Sequence, residues 1–333
     1  MVERNIPTES NIVEQIYWDY ENSGVRDTSF EIIQRVDAFY RDPLLYSHQL
    51  GKLKSKPMMP FYIGTDQGIT SSVLVPICSS TDVLWTLSTI VDDIEDRDEM
   101  RKQHPSTWVL FGKQYTYQAA EKGFEQVKMF LANYFGDEWA DLCNAWVLKG
   151  LASMQKQKTF QLNTDLASLM QNYIDRDAFF STFPLELILK ASIKNERNTA
   201  ISGLQAFELA GQIGNDLQDF YTSGGGENRF SDIRNKLVTV PIRMLWETID
   251  PRDREFFLAI FGNDKLKNEQ SDRLRSIFES HNIINSVLEY IGAEYERAKT
   301  LLSGIMSDEH NQMFSQLCEF QKNKFLQKTV LKP

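Results

Sequence analysis

The sequence predicts an all-α protein, folded as one large helical domain over residues 1–333. Three observations predict it. Apolar residues recur three and four apart in long windows, among them "DLASLMQNYI" and "AFELAGQIGNDLQDF". No stretch carries a β-hairpin turn signal or a series of alternating strands. The breaks, "KPMMP", "KQHPS", "TSGGGENRF" and "TIDPRD", hold Pro or Gly and are too short to link separate domains. A chain of 333 residues is long for one domain but within reach of a helical one. With 42% hydrophobic and 25% charged residues, it has material for a sizeable core.

In chain order, the opening "MVERNIPTES" is polar and lacks the basic and apolar regions of a signal peptide. The longest uncharged run, Gln67 to Thr81, contains Pro76 and many Ser and Thr residues. It is too short and too polar to span a bilayer, so no stable membrane insertion is expected. Cys78, Cys143 and Cys318 are odd in number and widely spaced. They make neither a disulfide framework nor a zinc pattern, which suits a cytoplasmic location. A net charge of −10 argues against nucleic acid as a partner. Towards the C-terminus, "NIINSVLEYIGAEYERAKTLLSGI" keeps helical periodicity for about six turns.

The apolar run "VLWTLSTIV" feeds directly into "DDIEDRDEM", where Asp92, Asp93, Glu95, Asp96, Asp98 and Glu99 surround a single base, Arg97. The run reads as a buried helix, so the acids fall at its C-terminal end, which already carries partial negative charge. Asp92 and Asp96 are four apart and share a face, with Asp93 beside them. Such pairs repel by a few tenths of a kcal/mol when exposed. A hard divalent cation turns that repulsion into binding. The plainer reading is a solvated acidic helix end.

A second block weighs against the plainer reading. "GQIGNDLQDF" repeats the spacing with Asn215, Asp216 and Asp219, again on an apolar helix. If the two helices are neighbours, oxygen ligands converge on one cavity. A di-iron carboxylate bundle would need paired Glu-x-x-His ligands, and His48, His104, His281 and His310 lack that spacing. Oxygen-only ligands point to magnesium, which in such sites bridges carboxylates to substrate phosphates.

With these blocks in this order, the chain resembles the trans-type isoprenoid synthase superfamily from roughly Gly51 to Leu302. "DDIED" matches the first aspartate-rich motif. Arg101 and Lys102 stand where chain-elongating members have two arginines. "GQIGNDLQDF" looks like the second motif, and "NKLVTVP" like the segment that follows, with Lys236 at its lysine. The resemblance implies an antiparallel helical bundle around a deep apolar cavity, and a homodimer. It also implies three Mg²⁺ ions holding an allylic prenyl diphosphate. The metal ligands it implies are Asp92, Asp96, Asn215, Asp219 and Ser223, with Glu227 as another candidate. Asp93 is implied in catalysis beside them. Arg176, Lys236, Arg101 and Lys102 are implied as partners of the diphosphate.

Several residues separate elongation from cyclisation. Elongating members bind isopentenyl diphosphate through a Gly-Gly-Lys-x-x-Arg-like segment and a His or Gln upstream of the first motif. Here the segment is "GKLKSKP", with Gly51, Lys52, Lys54 and Lys56 but no arginine, and Lys does not replace Arg in bidentate phosphate binding. The upstream position is Trp85. Its ring could face a carbocation, or it could simply be a core residue. Asn215 stands where elongating members have Asp and cyclases have Asn. Arg176 and Pro184 in "YIDRDAFFSTFPLEL" look like the cyclases' diphosphate-sensing Arg and the Pro after it; a plain alternative pairs Arg176 with Asp175 or Asp177. Tyr295 and Arg297 stand near the cyclases' Arg-Tyr pair. Leu87 and Ser88 stand where bulky residues would limit substrate length, and with Trp85 and Phe180 they are expected to line the cavity; Phe179 and Phe183 could close the same space. The expected activity is a Mg²⁺-dependent class I terpene synthase acting on farnesyl or geranylgeranyl diphosphate. A prenyl diphosphate synthase or other prenyltransferase is the alternative, followed by a non-catalytic subunit of one.

Overall fold

The computed structural model describes residues 11–51, 54–190, 196–220 and 230–329. Among them are seventeen helices and one ribbon of two two-residue strands, so the all-α expectation holds. The chain forms two compact units. One comprises Met1–Val147, Phe180–Ser202 and Leu301–Leu317; the other comprises Leu148–Phe179, Gly203–Thr300 and Cys318–Pro333.

The first unit is built on helix Ser71–Asp96, against which helices Val25–Gln34, Ser55–Asp66 and Lys113–Phe135 pack. This helix is long and apolar enough to cross a membrane, but its most apolar window is 72% buried. It is the core helix of this unit. Its Ser and Thr residues survive burial because each hydroxyl finds a carbonyl. Ser80 donates to the Pro76 carbonyl at 2.8 Å, Thr81 to Ile77 at 3.1 Å and Ser79 across to Val25 at 2.8 Å.

Not every expected break is a break. Pro43, Pro60, Pro76 and Pro184 all lie inside helices. "KPMMP" belongs to helix Ser55–Asp66: Pro57 sits in its first turn, where an N–H has no intrahelical partner anyway. "TIDPRD" is a real break, because Asp250 caps helix Pro251–Ile260 and Pro251 occupies its first position. "KQHPS" is the turn and second strand of a hairpin absent from the sequence reading, with Met100 opposite Pro105 and Arg101 opposite His104.

Leu87, an expected cavity residue, is fully buried and packs against Gly123 of helix Lys113–Phe135. A Cβ at Gly123 would lie 2.5 Å from the Leu87 Cδ2. Gly123→Val is therefore expected to destabilise the protein by about 1–3 kcal/mol, read from the denaturant midpoint. An unchanged midpoint would mean that Leu87 can move aside.

In the second unit, helix Leu166–Arg176 starts at the Asp165 cap, whose carboxylate accepts the Ser168 N–H, and packs against helix Val240–Thr248. Helix Arg197–Gln218 carries Asn215 and Asp216 in its last turn, with Asp219 just beyond its end. Its Gly214 lies against the Phe325 ring: a Cβ there would meet Phe325 at 2.2 Å, so only glycine lets the ring approach.

Candidate active site

In the first unit the acids divide by role. Helix Ser71–Asp96 ends with Arg97 in the left-handed region. The hairpin that follows turns at Lys102 and Gln103, both also left-handed, and this folds Arg101 back onto the helix end. Arg101 donates through Nε to Asp93 Oδ1 at 2.7 Å and lies 3.7 Å from Asp92. Asp93 is buried. Burial pushes its carboxyl above the usual range, and the Arg101 hydrogen bond pulls part of that back. The Asp92 side chain, by contrast, is 51% exposed, and Asp96 is half-buried. Asp92 and Asp96, one turn apart, are thus more accessible than Asp93, which is committed to Arg101. The Lys102 ammonium donates to the Leu50 carbonyl at 3.1 Å.

Trp85 is half-buried, and the Phe180 ring meets it in a T-shaped contact at 5.1 Å. The Lys56 ammonium lies 4.8 Å from the Trp85 ring centroid. An ammonium beside the indole disfavours a second cation there, so this contact weighs against a carbocation-facing role for Trp85. Ser88 is half-buried, and its hydroxyl donates to the Trp85 carbonyl at 2.9 Å. Of the basic segment, Lys52 lies outside the described residues. Lys54 is buried in an ion pair with Asp82 at 2.9 Å.

In the second unit Asn215 is exposed, Asp216 buried and Asp219 half-buried. Asp219 accepts from the Ser231 N–H at 3.0 Å, the Ser231 hydroxyl at 2.9 Å and the Asp232 N–H at 3.1 Å, so it anchors the short helix Ser231–Arg234. Asp216 accepts the Tyr173 hydroxyl, and the Gln212 amide at 3.0 Å. Tyr173 in turn accepts the Val240 N–H at 3.1 Å, at the start of helix Val240–Thr248. Burial pushes the Asp216 carboxyl up to about 7; the Tyr173 hydrogen bond and Arg176 act the other way. Ser223 and Glu227 lie outside the described residues.

Arg176 is no exposed helix cation. Its Nε and Nη2 grip Asp177 at 2.8–3.0 Å, Nη1 donates to Gln157, and the guanidinium lies 5.5 Å from the Tyr173 ring centroid. Asp175 pairs with Lys149 instead. Lys236 is exposed, has a left-handed backbone and lays its chain over Gly262. Tyr295 is buried and donates to Gln321 at 2.8 Å, whereas Arg297 pairs with Glu294, so these two form no joint site.

The donor set tests the fit to a metal. Oxygen ligands suit a hard cation, and Asp92 and Asp96 in the first unit have the accessibility to bind one. Among the described residues, three His, Cys, Asp or Glu ligand atoms gather within 4.8 Å of one another at Asp250, Asp253 and His281. Local structure accounts for that trio: Asp250 caps a helix, and Asp253 faces Arg273 at 3.2 Å.

The sequence reading missed two groups. One is Asp82 with its buried partners Tyr20, His48 and Lys54. A lone carboxylate in a helix otherwise uncharged from Ser71 to Val91 was its visible signal. The other is Tyr173, which had no signal beyond its place on the inward face of a helix.

Comparison with known proteins extends the picture. The chain is similar to a sesquiterpene alcohol synthase from Murgantia histrionica, 22% identical over 271 residues, covering 77% of this chain and 69% of the relative. Its fold is that of a polyprenyl synthase from Caulobacter crescentus solved with calcium and isoprenyl diphosphate. That match has a TM-score of 0.83 at 15% identity and covers 96% of this chain and 98% of the other. An octaprenyl pyrophosphate synthase from Helicobacter pylori matches with a TM-score of 0.74 at 20% identity, over 91% and 99%. The polyprenyl synthetase family model matches residues 58–279, from the helix that carries Lys56 to helix Asn268–Ser280. By that match across two thirds of its length, the chain belongs to the polyprenyl synthetase family.

Proposed function

We propose that this protein is a Mg²⁺-dependent class I terpene synthase acting on farnesyl or geranylgeranyl diphosphate. The observation that carries the reading is the state of the basic segment. Lys54 is spent on the buried Asp82, and Lys56 lies against Trp85. Elongation needs a second diphosphate, and two of the lysines that would hold it already have internal partners. The Murgantia relative, by its name a sesquiterpene alcohol synthase, supports the same direction.

On this reading Asp92, Asp96, Asn215 and Asp219 would hold magnesium, with Ser223 or Glu227 completing the set. Magnesium, when bound, offsets the charge that develops on the departing diphosphate. Arg101 fixes Asp93 beside Asp92. Lys102, Lys236 and Arg176 are proposed partners of the diphosphate, and Arg176 would exchange Asp177 for phosphate oxygens as substrate arrives. The allylic C–O bond breaks with its electron pair leaving on diphosphate. The cation is then captured by an alkene of its own chain and quenched by proton loss or water. Apolar walls such as Trp85 and Phe180 delay that water. A homodimer working in the cytoplasm belongs to the same proposal.

Incubation with geranyl, farnesyl and geranylgeranyl diphosphates and Mg²⁺, with and without isopentenyl diphosphate, tests it. Hydrocarbon or alcohol formed without isopentenyl diphosphate is the expected result. Longer diphosphates, formed only when it is present, would establish elongation instead, the reading that the structural neighbours favour.

Substrate length gives a further expectation. With Leu87 turned into the core, Ser88 is the small residue left one turn before Asp92. Geranylgeranyl diphosphate is expected to be used at least as well as farnesyl diphosphate, and Ser88→Phe should shift kcat/KM towards the shorter substrate by about tenfold. An unchanged ratio would remove Ser88 from the pocket.

A further inference from the structure

At the end of helix Arg197–Gln218, Asn215 is exposed and Asp219 half-buried, while Asp216 between them is buried. Both oxygens of Asp216 are engaged. Oδ2 accepts the Tyr173 hydroxyl, and Oδ1 accepts the Gln212 amide at 3.0 Å. Gln212 stands one turn earlier on the same helix, so it moves with Asp216. Tyr173 comes from helix Leu166–Arg176, and its buried hydroxyl also accepts the Val240 N–H at 3.1 Å. That N–H is one of the donors that a helix start leaves without an intrahelical partner, and the N-cap Thr239 gives this helix no side-chain bond. One hydroxyl thus ties three helices together: its own, the one it donates to and the one it accepts from.

Asp216 and Asp219 are three apart, and the Asp219 N–H donates to the Asp216 carbonyl at 3.2 Å, so the helical turn carries on between them. Side chains at that spacing are neighbours, about 5–6 Å apart at Cβ. A carboxylate at Asp216 is therefore close to any cation held at Asp219. The charged groups that act on Asp216 from the other helix are Arg176 and Asp177, which pair with one another. A buried oxygen that loses its donor is costly until it finds another partner, and a cation at the neighbouring residue is such a partner. While Tyr173 donates, both oxygens of Asp216 are met from inside the fold.

We propose that Tyr173 is a positioning residue for the second acidic block: its hydroxyl holds the Asp216 carboxylate inward, so that Asn215 and Asp219 are the side chains presented to the cation. The inference rests on the metal assignment within the proposed function.

The test uses the full chain at pH 8 with inorganic pyrophosphate and reads the rise in Tm as Mg²⁺ is added. The measured quantity is the half-saturating Mg²⁺ concentration, and Asn215→Ala identifies the part of the rise that belongs to this block. Tyr173→Phe keeps the ring and removes the hydroxyl. Its Tm without metal should fall, as it would for a purely structural tyrosine. It should also need at least about threefold less Mg²⁺, because the released carboxylate adds a charge at the cation. Adding Asp216→Asn should restore the parental Mg²⁺ requirement, since the effect runs through that carboxylate. A lower Tm with an unchanged or increased Mg²⁺ requirement would overturn the proposal, and so would an effect that survives Asp216→Asn. If Tyr173→Phe does not fold, Asp216→Asn alone decides. A carboxylate held inward is no ligand, so the Mg²⁺ requirement should stay within about twofold, and a larger increase would make Asp216 a ligand and defeat the positioning. If Mg²⁺ does not raise the Tm of the unaltered protein at all, the magnesium assignment fails and takes this inference with it; a rise that Tyr173→Phe leaves unmoved defeats the inference alone.

Discussion

Asp92→Ala and Asp96→Ala are each expected to lower kcat by roughly 10²–10³-fold or more, with Tm unchanged or slightly raised. The first half of that expectation follows from the proposed metal site. Each substitution removes a carboxylate that would fix the metal against the departing diphosphate, and the neighbouring Asp93 is committed to Arg101. The second half follows from exposure. The Asp92 side chain is 51% exposed and Asp96 half-buried, so neither supports the core. Removing one of two like charges at i, i+4 relieves a few tenths of a kcal/mol of repulsion. Asp93→Asn should behave differently. It takes the charge from the buried carboxylate that Arg101 grips and should lower Tm as well as activity. Measuring turnover and Tm for all three separates the roles: full activity in Asp92→Ala or Asp96→Ala would dismiss the metal assignment, and equal Tm losses in all three would dismiss the division between them.

The sequence carried the helices and the position of the acids, because both rest on periodicity and spacing. "VLWTLSTIV" does end in a helix terminus that presents Asp92 and Asp96 on one side. The orientation of Leu87 was not legible. Helix Ser71–Asp96 is buried on most of its circumference, so an apolar pattern cannot say which neighbour a given residue meets. The hairpin that delivers Arg101 was hidden for another reason. Its turn residues, Lys102 and Gln103, adopt left-handed backbone without the Asn or Gly that announces such turns. Proline misled in the opposite sense at "KPMMP": tertiary packing holds Pro60 within a helix despite the hydrogen bond it forfeits. The partners of Asp82 come from segments 28 to 62 residues away, and no local pattern encodes that convergence.

The second large effect concerns pH. Asp216 is buried beside Tyr173 and Gln212, and burial raises its carboxyl to about 7. In the unfolded chain the same group titrates near an ordinary aspartate value of about 3.9. A carboxyl whose pKa is higher in the folded state favours folding while it is protonated. Its contribution is fully present below the unfolded value and is lost as pH rises through about 7. The loss is on the order of 2–4 kcal/mol, because the ionised group must stay buried. Asp216→Asn cannot ionise, and it still offers an oxygen to the Tyr173 hydroxyl. Without added metal, the Tm of the unaltered protein should therefore fall relative to that of Asp216→Asn between pH 4 and pH 8. The subtraction removes titrations that the two proteins share, such as that of Asp93. Magnesium gives the experiment a second arm: if Asp216 acts with Asn215 and Asp219 on a cation, Mg²⁺ above pH 7 should raise the Tm of the unaltered protein more than that of the variant. A Tm difference that stays constant across the whole range would show that Asp216 keeps its charge in the fold, and the neutral, Tyr173-held carboxyl would have to be abandoned.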